Sequence, residues 1–440
     1  MFKLAIKINY KKIILAFFLF FVIFNPPIIR KISFTPIVLI LSFIYVLFNN
    51  KLVSQIMALA PIRKWIKILF VFFLYYFVII IVGFVRYPTQ IDQLVSGYIS
   101  AIVYNIALII LSLCICVYSI RRSFEDSDLF DCFIWAGVIE AILSILSFVF
   151  PTIKILLNQM VVENSTSHTI VATMNNVSSF RNYGLASTLF DSFGLAMSIL
   201  ALIAFSQGLN NKKRISFLFF LMMSFAACIN ARTSMVLISV GIVVILFVGR
   251  RLSVSEMVKR IPPVILLIVG IMCFVQVVNS GSPTALWLRN GIEAIQSILY
   301  RGEAKGFFAI ILKEISVPKD EFVFTFGSGL LPNQLGYSYM DMGYFQNWWK
   351  YGVVGSLMLY SFYCFPLLHW YRKKERNSIV ALMILMVLAL YLLKLNIFGY
   401  GMGTVVVMPI MMYELVLSKS PAIHDREKLV INRFFLYQKY

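Results

Sequence analysis

The chain has 440 residues, 60% of them hydrophobic and only 13% charged, with 40 phenylalanines and a mean hydropathy of +0.87. No water-soluble core of this size requires so much apolar surface, so the composition excludes a soluble globular enzyme and indicates an all-α, polytopic membrane protein. The net charge of +20 comes without a soluble domain on which a basic patch could face nucleic acid, so no nucleic-acid partner is implied.

The first apolar run, 13–24, follows Lys3, Lys7, Lys11 and Lys12 as the core of a signal peptide would. Asn25-Pro26-Pro27 stands where a small-residue cleavage site would be expected, so the run reads as a retained first span. Runs long enough to cross about 30 Å of hydrocarbon then fall at 32–48, 66–85, 99–120, 129–150, 183–206, 215–229, 233–248, 261–278, 343–370, 379–395 and 403–417. About twelve spans are expected, in one integral membrane domain over 1–440. Each must be helical, because backbone amides in lipid need partners within their own segment.

Over alternate connections, Lys and Arg are more than twice as frequent on the set that includes the N-terminus, 49–65, 121–128, 207–214, 249–260, 371–378 and the C-terminal tail. By the positive-inside rule both termini are cytoplasmic, and the long connection before the tenth span, 279–341, faces outward. The basicity is then a topology signal that favours anionic lipid on the inner leaflet.

In the long connection, Leu288, Ile292, Ile295 and Leu299 recur at helical spacing, with Arg289, Glu293 and Gln296 on the opposite face. Such a helix either lies flat on the outer leaflet or caps the bundle, and both arrangements set Arg289 and Arg301 near the lipid phosphates. Arg181 and Arg232 sit at span boundaries, Arg232 in a hairpin with almost no loop. A guanidinium anchors to headgroups or grips a pyrophosphate bidentately. Asp341, two residues before a helix, is placed to cap the first-turn amides, and its second oxygen stays available to take a proton from a hydroxyl.

Glu140 and Asp191 fall well inside apolar runs, where a charge costs about 2.5 to 3.5 kcal/mol, so both are candidates for function. Asp131, Glu414 and Lys67 lie near span ends and are expected to reach the interface. Trp348, Trp349 and Tyr351 are expected to form an aromatic belt at the outer edge of the tenth span. The cysteines, at 114, 116, 132, 228, 273 and 364, all lie in predicted spans, so no disulfide framework is implied. With only His168, His369 and His424, no metal site is indicated. No phosphate-binding loop, dinucleotide fingerprint or hydrolase elbow occurs, so no cofactor is implied.

Arg181-Asn182-Tyr183-Gly184, Arg232-Thr233, and the run from Asp341-Met342-Gly343-Tyr344 to Tyr351-Gly352-Val353-Val354-Gly355, set among about a dozen spans with one large late outer loop, resemble the O-antigen and capsule polymerases and the related O-antigen ligases. The topological likeness covers most of the chain, and the motif likeness covers 180–355. The resemblance implies a membrane glycosyltransferase that joins undecaprenyl-pyrophosphate-linked oligosaccharide repeat units at the periplasmic face of the bacterial inner membrane. It gives Arg181, Arg232, Arg289 and Arg301 the pyrophosphate and Asp341 the acceptor hydroxyl. A chain-length regulator and a flippase of the same pathway are the protein partners it implies, beside membrane lipid. Two positions depart from the pattern: Asp341-Met342 stands where the ligases have His-Asn, and Asp191 falls where an Asn or Pro-Asn is usual. The alternative is a flippase for the same lipid-linked units, for which Glu140 and Asp191 would line a central cavity. On the polymerase reading, loss of Glu140 is expected to be milder than loss of Arg232 or Asp341.

Overall fold

A computed structural model describes residues 9–26, 34–164, 182–186, 191–211, 214–248, single residues between 281 and 296, 317–337, 342–373, 377–394 and 402–417. No strand occurs among them. The helices are α1 (Tyr10–Phe24), α2 (Phe34–Phe48), α3 (Asn50–Ala58), α4 (Ala60–Arg86), α5 (Ile91–Arg121), α6 (Asp126–Val149) and α7 (Pro151–Asn164). They continue with α8 (Asp191–Asn211), α9 (Arg214–Asn230), α10 (Thr233–Val243), α11 (Glu321–Phe326), α12 (Gly343–Arg372), α13 (Ser378–Tyr391) and α14 (Met402–Leu417). Among the described residues, 5 helices are long and apolar enough to cross a membrane, and α2 with α3 would make a sixth span bent by 87°. The expected span at 261–278 lies outside the described residues.

The bundle is built around α8, whose most apolar window is 89% buried, whereas that of α4 is 33% buried. α6, α9, α10, α13 and α14 pack on α8. Small residues allow the approach: a Cβ added at Gly194 would meet Ala231 and Ser234, and one at Gly403 would meet Leu195. In lipid, where tails are as apolar as leucine, this kind of close packing holds helices together.

Polar contacts gather at two ends. At one, Lys12 pairs with Asp128 and, at 3.6 Å, with Asp131. There too the Tyr413 hydroxyl donates to the Phe124 carbonyl at 2.6 Å, Asn210 donates to Asn377 at 3.2 Å, and Lys373 donates to the Glu414 carbonyl at 2.8 Å. At the other, Arg86 pairs with Asp320 at 3.3 Å, Gln90 donates to the Gln334 carbonyl at 2.8 Å, and the Tyr344 amide donates to the Leu392 carbonyl at 3.2 Å. Each bond joins connections or helix ends that the count of basic residues assigns to the same side. Glu414, expected at the interface, is instead 1% exposed, because α14 is packed on α5, α8 and α12 to its last turn.

Two helices carry an internal proline, Pro366 in α12 and Pro409 in α14. Proline lacks the N–H that would bond the carbonyl four residues earlier. In α12 that carbonyl is Phe362, and the fully buried Trp65 donates its indole N–H to it at 2.8 Å while its ring stacks on Phe362. A neighbouring helix thus supplies the bond that the sequence removes.

Candidate functional site

The span expected at 183–206 begins later: α8 starts at Asp191, and 182–186 is not helical. Asp191 is therefore the first residue of a helix and not a mid-span carboxylate. The reason lies in hydrogen bonding. The Asn182 amide donates to Asn230 Oδ1 at 2.7 Å, and its carbonyl accepts from Asn230 Nδ2 at 3.1 Å and from Ser144 Oγ at 2.5 Å. The Leu185 and Ala186 amides donate to the two oxygens of Glu140 at 3.2 and 3.1 Å. With side chains meeting the needs of its backbone, the segment can stay buried without becoming helix.

Glu140 and Asn230 are both 0% exposed. Asn230 uses both ends of its amide, with Nδ2 also reaching Ser144 Oγ at 3.0 Å and the Ala226 carbonyl at 2.9 Å, and this pattern fixes which end is oxygen. Gly184 completes the fit, since a Cβ there would stand 2.6 Å from Glu140 Oε1 and 2.8 Å from Leu143 Cβ. Glu140 is thereby a brace for the Asn182–Ala186 backbone.

This network ties two of the sequence motifs together. Asn182 directly follows Arg181 in the chain, and Asn230 stands two residues before Arg232, which occupies the short turn between α9 and α10, partly exposed. Arg181, Arg301 and Asp341 lie outside the described residues, and for Asp191 only the backbone is described. Arg289 is helical and 63% exposed, and it bonds Glu293 one turn on at 3.0 Å, whereas Leu288, Ile292, Ile295 and Leu299 of the expected apolar stripe lie outside the described residues. The structure therefore brings the surroundings of Arg181 and Arg232 together and leaves Arg289 as a separate exposed ion pair.

The end of the long connection is folded onto α12. Asp320 caps α11 by accepting from the Val323 amide at 2.9 Å, and Arg86 pairs with it while lying 4.1 Å over the Phe322 ring. The Val323 amide first, and the Arg86 guanidinium after it, hold the Asp320 carboxyl below the usual carboxylate range. α12 breaks at Gly352, with φ 65° and ψ −176°, a conformation open almost only to glycine. The break strips the preceding carbonyls of helical partners, and each finds another. Trp349 accepts from the Ser328 amide and Oγ, both at 2.9 Å, Lys350 from the Gly329 amide at 2.9 Å, and Tyr351 from the Tyr75 hydroxyl at 3.0 Å. Gly327, with φ 88° and ψ 168°, lies against this break, and a Cβ on it would be 2.5 Å from the Tyr351 carbonyl carbon.

This clasp corrects the expected aromatic belt. Trp349 and Tyr351 are 4% and 5% exposed, Trp349 covered by Val323 and Tyr337 of the returning loop, and Trp348 donates its indole N–H to the Phe324 carbonyl at 2.9 Å. The two tryptophans bind the loop to the helix through Phe324 and Tyr337, and the Tyr351 ring packs on α4 against Phe72 and Tyr76.

Sequence reasoning gave no role to Asn230 or Ser144, and named Asn182 only within the Arg181–Gly184 motif. A signal existed for the first: an amide at the end of an apolar helix, two residues ahead of an arginine already singled out. Ser144, in the middle of α6, carried none. Compared with protein-family models and with curated proteins, the chain matches none.

Proposed function

We propose that the chain is a membrane-embedded glycosyltransferase that polymerises undecaprenyl-pyrophosphate-linked oligosaccharide repeat units into O-antigen or capsular polysaccharide at the periplasmic face of the bacterial inner membrane. About twelve spans, with both termini cytoplasmic and the 279–341 connection outside, belong to this reading. The acceptor hydroxyl oxygen attacks the anomeric carbon of the donor and the bond from that carbon to the pyrophosphate oxygen breaks. The carrier leaves as its pyrophosphate, and the hydroxyl proton passes to Asp341. Arg181 and Arg232, with Arg289 and Arg301 from the loop, meet the charge that develops on the leaving group, where fixed cations lower a barrier most.

The observation that carries the proposal is the buried union of Asn182 with Asn230. It fixes the neighbours in sequence of Arg181 and Arg232 against each other, as a two-armed pyrophosphate site needs. The test is a gel of cell-surface polysaccharide from a strain whose own copy is replaced by Arg232→Ala or Asp341→Ala. Short, single-unit products with normal protein levels are expected, and a normal long-chain ladder from both variants overturns the site. A deletion strain distinguishes the polymerase from a flippase: lipid-linked units accumulate at the outer face for the first and at the inner face for the second.

A further inference from the structure

Away from the Asn182–Asn230 network, α3 and the start of α4 enclose a groove of about 660 Å³, lined by Met57, Ala60, Arg63, Lys64, Lys67 and Phe70 among others. Its position follows from the chain's geometry. α3 leaves α2 at 87°, so if α2 crosses the bilayer, α3 runs along its surface. α3 also buries only Leu52 and Ile56, as an interfacial helix would. α4 then turns into the bundle with Pro61 in its first turn.

Among the described residues the cations in the groove have no acidic partner. Arg63 and Lys67 have no ion pair among the described residues, whereas Lys12, Arg86 and Arg289 each have one. Lys64 lies 5.2 Å over the Phe365 ring. All three side chains are exposed. Arg63, Lys67 and Phe70 follow at helical spacing on one side of α4, and Phe70 lies about 10 Å along the axis from Arg63. From Phe70 to Val85 the exposed residues of α4 are all apolar, among them Leu74 52%, Phe77 48%, Val78 55% and Ile81 48%. The groove therefore joins a site of uncompensated positive charge to an apolar track that leads along a span.

We propose that this groove is a binding site for one anionic glycerophospholipid of the adjoining leaflet, its phosphate held by Arg63 and Lys67 and its acyl chain laid along Phe70, Leu74 and Val78. Arg63 supplies the fork for two phosphate oxygens, and Lys67 a second positive charge one turn deeper. A soluble phosphate would satisfy the cations and leave the apolar track unused, and the continuity of that track with the basic site is what favours a lipid.

The test is native mass spectrometry of the full chain released from nanodiscs of phosphatidylcholine with one quarter phosphatidylglycerol. Wild type is expected to retain one phosphatidylglycerol, R63Q/K67Q to retain it about 30-fold less, as for two lost surface charges, and R63K/K67R to retain it as wild type does. R121Q/R122Q, a second basic pair at the same end of the bundle, is the control and should leave retention unchanged. A melting temperature of R63Q/K67Q equal to that of wild type in pure phosphatidylcholine shows that the variant is folded. Undiminished retention by R63Q/K67Q overturns the proposal, and so does an equal loss from R121Q/R122Q. Displacement of the lipid by millimolar inorganic phosphate also overturns it, since the groove would then read phosphate alone.

Discussion

Replacing Glu140 with alanine removes both acceptors of the Leu185 and Ala186 amides, at 3.2 and 3.1 Å, and leaves two buried N–H groups with nothing to bond. Each such group costs about 1 to 3 kcal/mol, so the non-helical segment should lose roughly 2 to 6 kcal/mol of local stability. Because about 1.4 kcal/mol is tenfold in an opening equilibrium, amide exchange at Leu185 and Ala186 should accelerate about 30-fold or more. Hydrogen exchange read by mass spectrometry on the peptide spanning these amides, in detergent or nanodiscs, measures this directly. Glu140→Gln keeps one carbonyl acceptor but turns an NH₂ toward the other amide, so its effect should fall between wild type and alanine. Unchanged exchange in Glu140→Ala would refute the bracing role. On the proposed function, polymer length should fall with loss of Glu140 as the backbone next to Arg181 comes loose, an effect beyond the milder loss expected relative to Arg232 and Asp341.

At the clasp, Gly352→Ala and Gly327→Ala place a Cβ within 2.4 and 2.5 Å of backbone atoms, in a conformation that alone costs about 1 to 3 kcal/mol. Both should lower the melting temperature and speed tryptic cleavage at Lys319. Gly97→Ala, whose Cβ would meet nothing closer than 3.6 Å, should do neither, and equal effects from all three would defeat the argument. Trp65→Phe should cost about 1 to 3 kcal/mol by orphaning the buried Phe362 carbonyl. In a Pro366→Ala background, where an ordinary helical N–H is restored, the cost should shrink; a thermal-stability double-mutant cycle with no coupling rejects the substitution of one bond for the other. Asp320 has a depressed folded value, so its contribution is present above the ordinary carboxylate range and lost as pH falls through that lower value. Hydrogen exchange, corrected for its intrinsic rate at each pH, follows this across the whole range. Protection should stay flat from about pH 8 to 5 and fall only below about 4; a fall near pH 6 would exclude Asp320 as the cause.

Hydropathy made the long apolar helices legible, and the near-absence of loop between Asn230 and Thr233 made the α9–α10 hairpin legible. Hydropathy could not place the start of α8. Residues 183–186 read as the start of a span because their side chains are mostly apolar, while the helix is replaced by hydrogen-bond partners on α6 and α9 that are distant in sequence. The aromatic run at 348–351 misled for a related reason: Trp and Tyr are amphipathic, and the composition that suits a lipid headgroup equally suits a covering loop. Tyr351 to Gly355 entered through a resemblance, and the structure gives two of its glycines a physical task. Gly352 is the break, and Gly355 admits Tyr75, whose ring would be 2.5 Å from a Cβ there. The burial of Glu140 was foreseeable from its position, but its partners were not, because backbone amides are invisible in a side-chain sequence.

The bond between Asn182 and Asn230 spans 48 residues. A ribosome working at about 5 to 20 residues per second makes that separation in roughly 2 to 10 s. For that interval the Asn182–Ala186 stretch has emerged with Glu140 and Ser144 available but without the amide that closes its first residue. Insertion of α9 is therefore the event that ends the exposure of this backbone. A variant lacking Asn230 would remain in that unfinished state, with a stretch that the quality-control proteases of the membrane can enter, and its earliest phenotype would be a lower amount of protein in the cell.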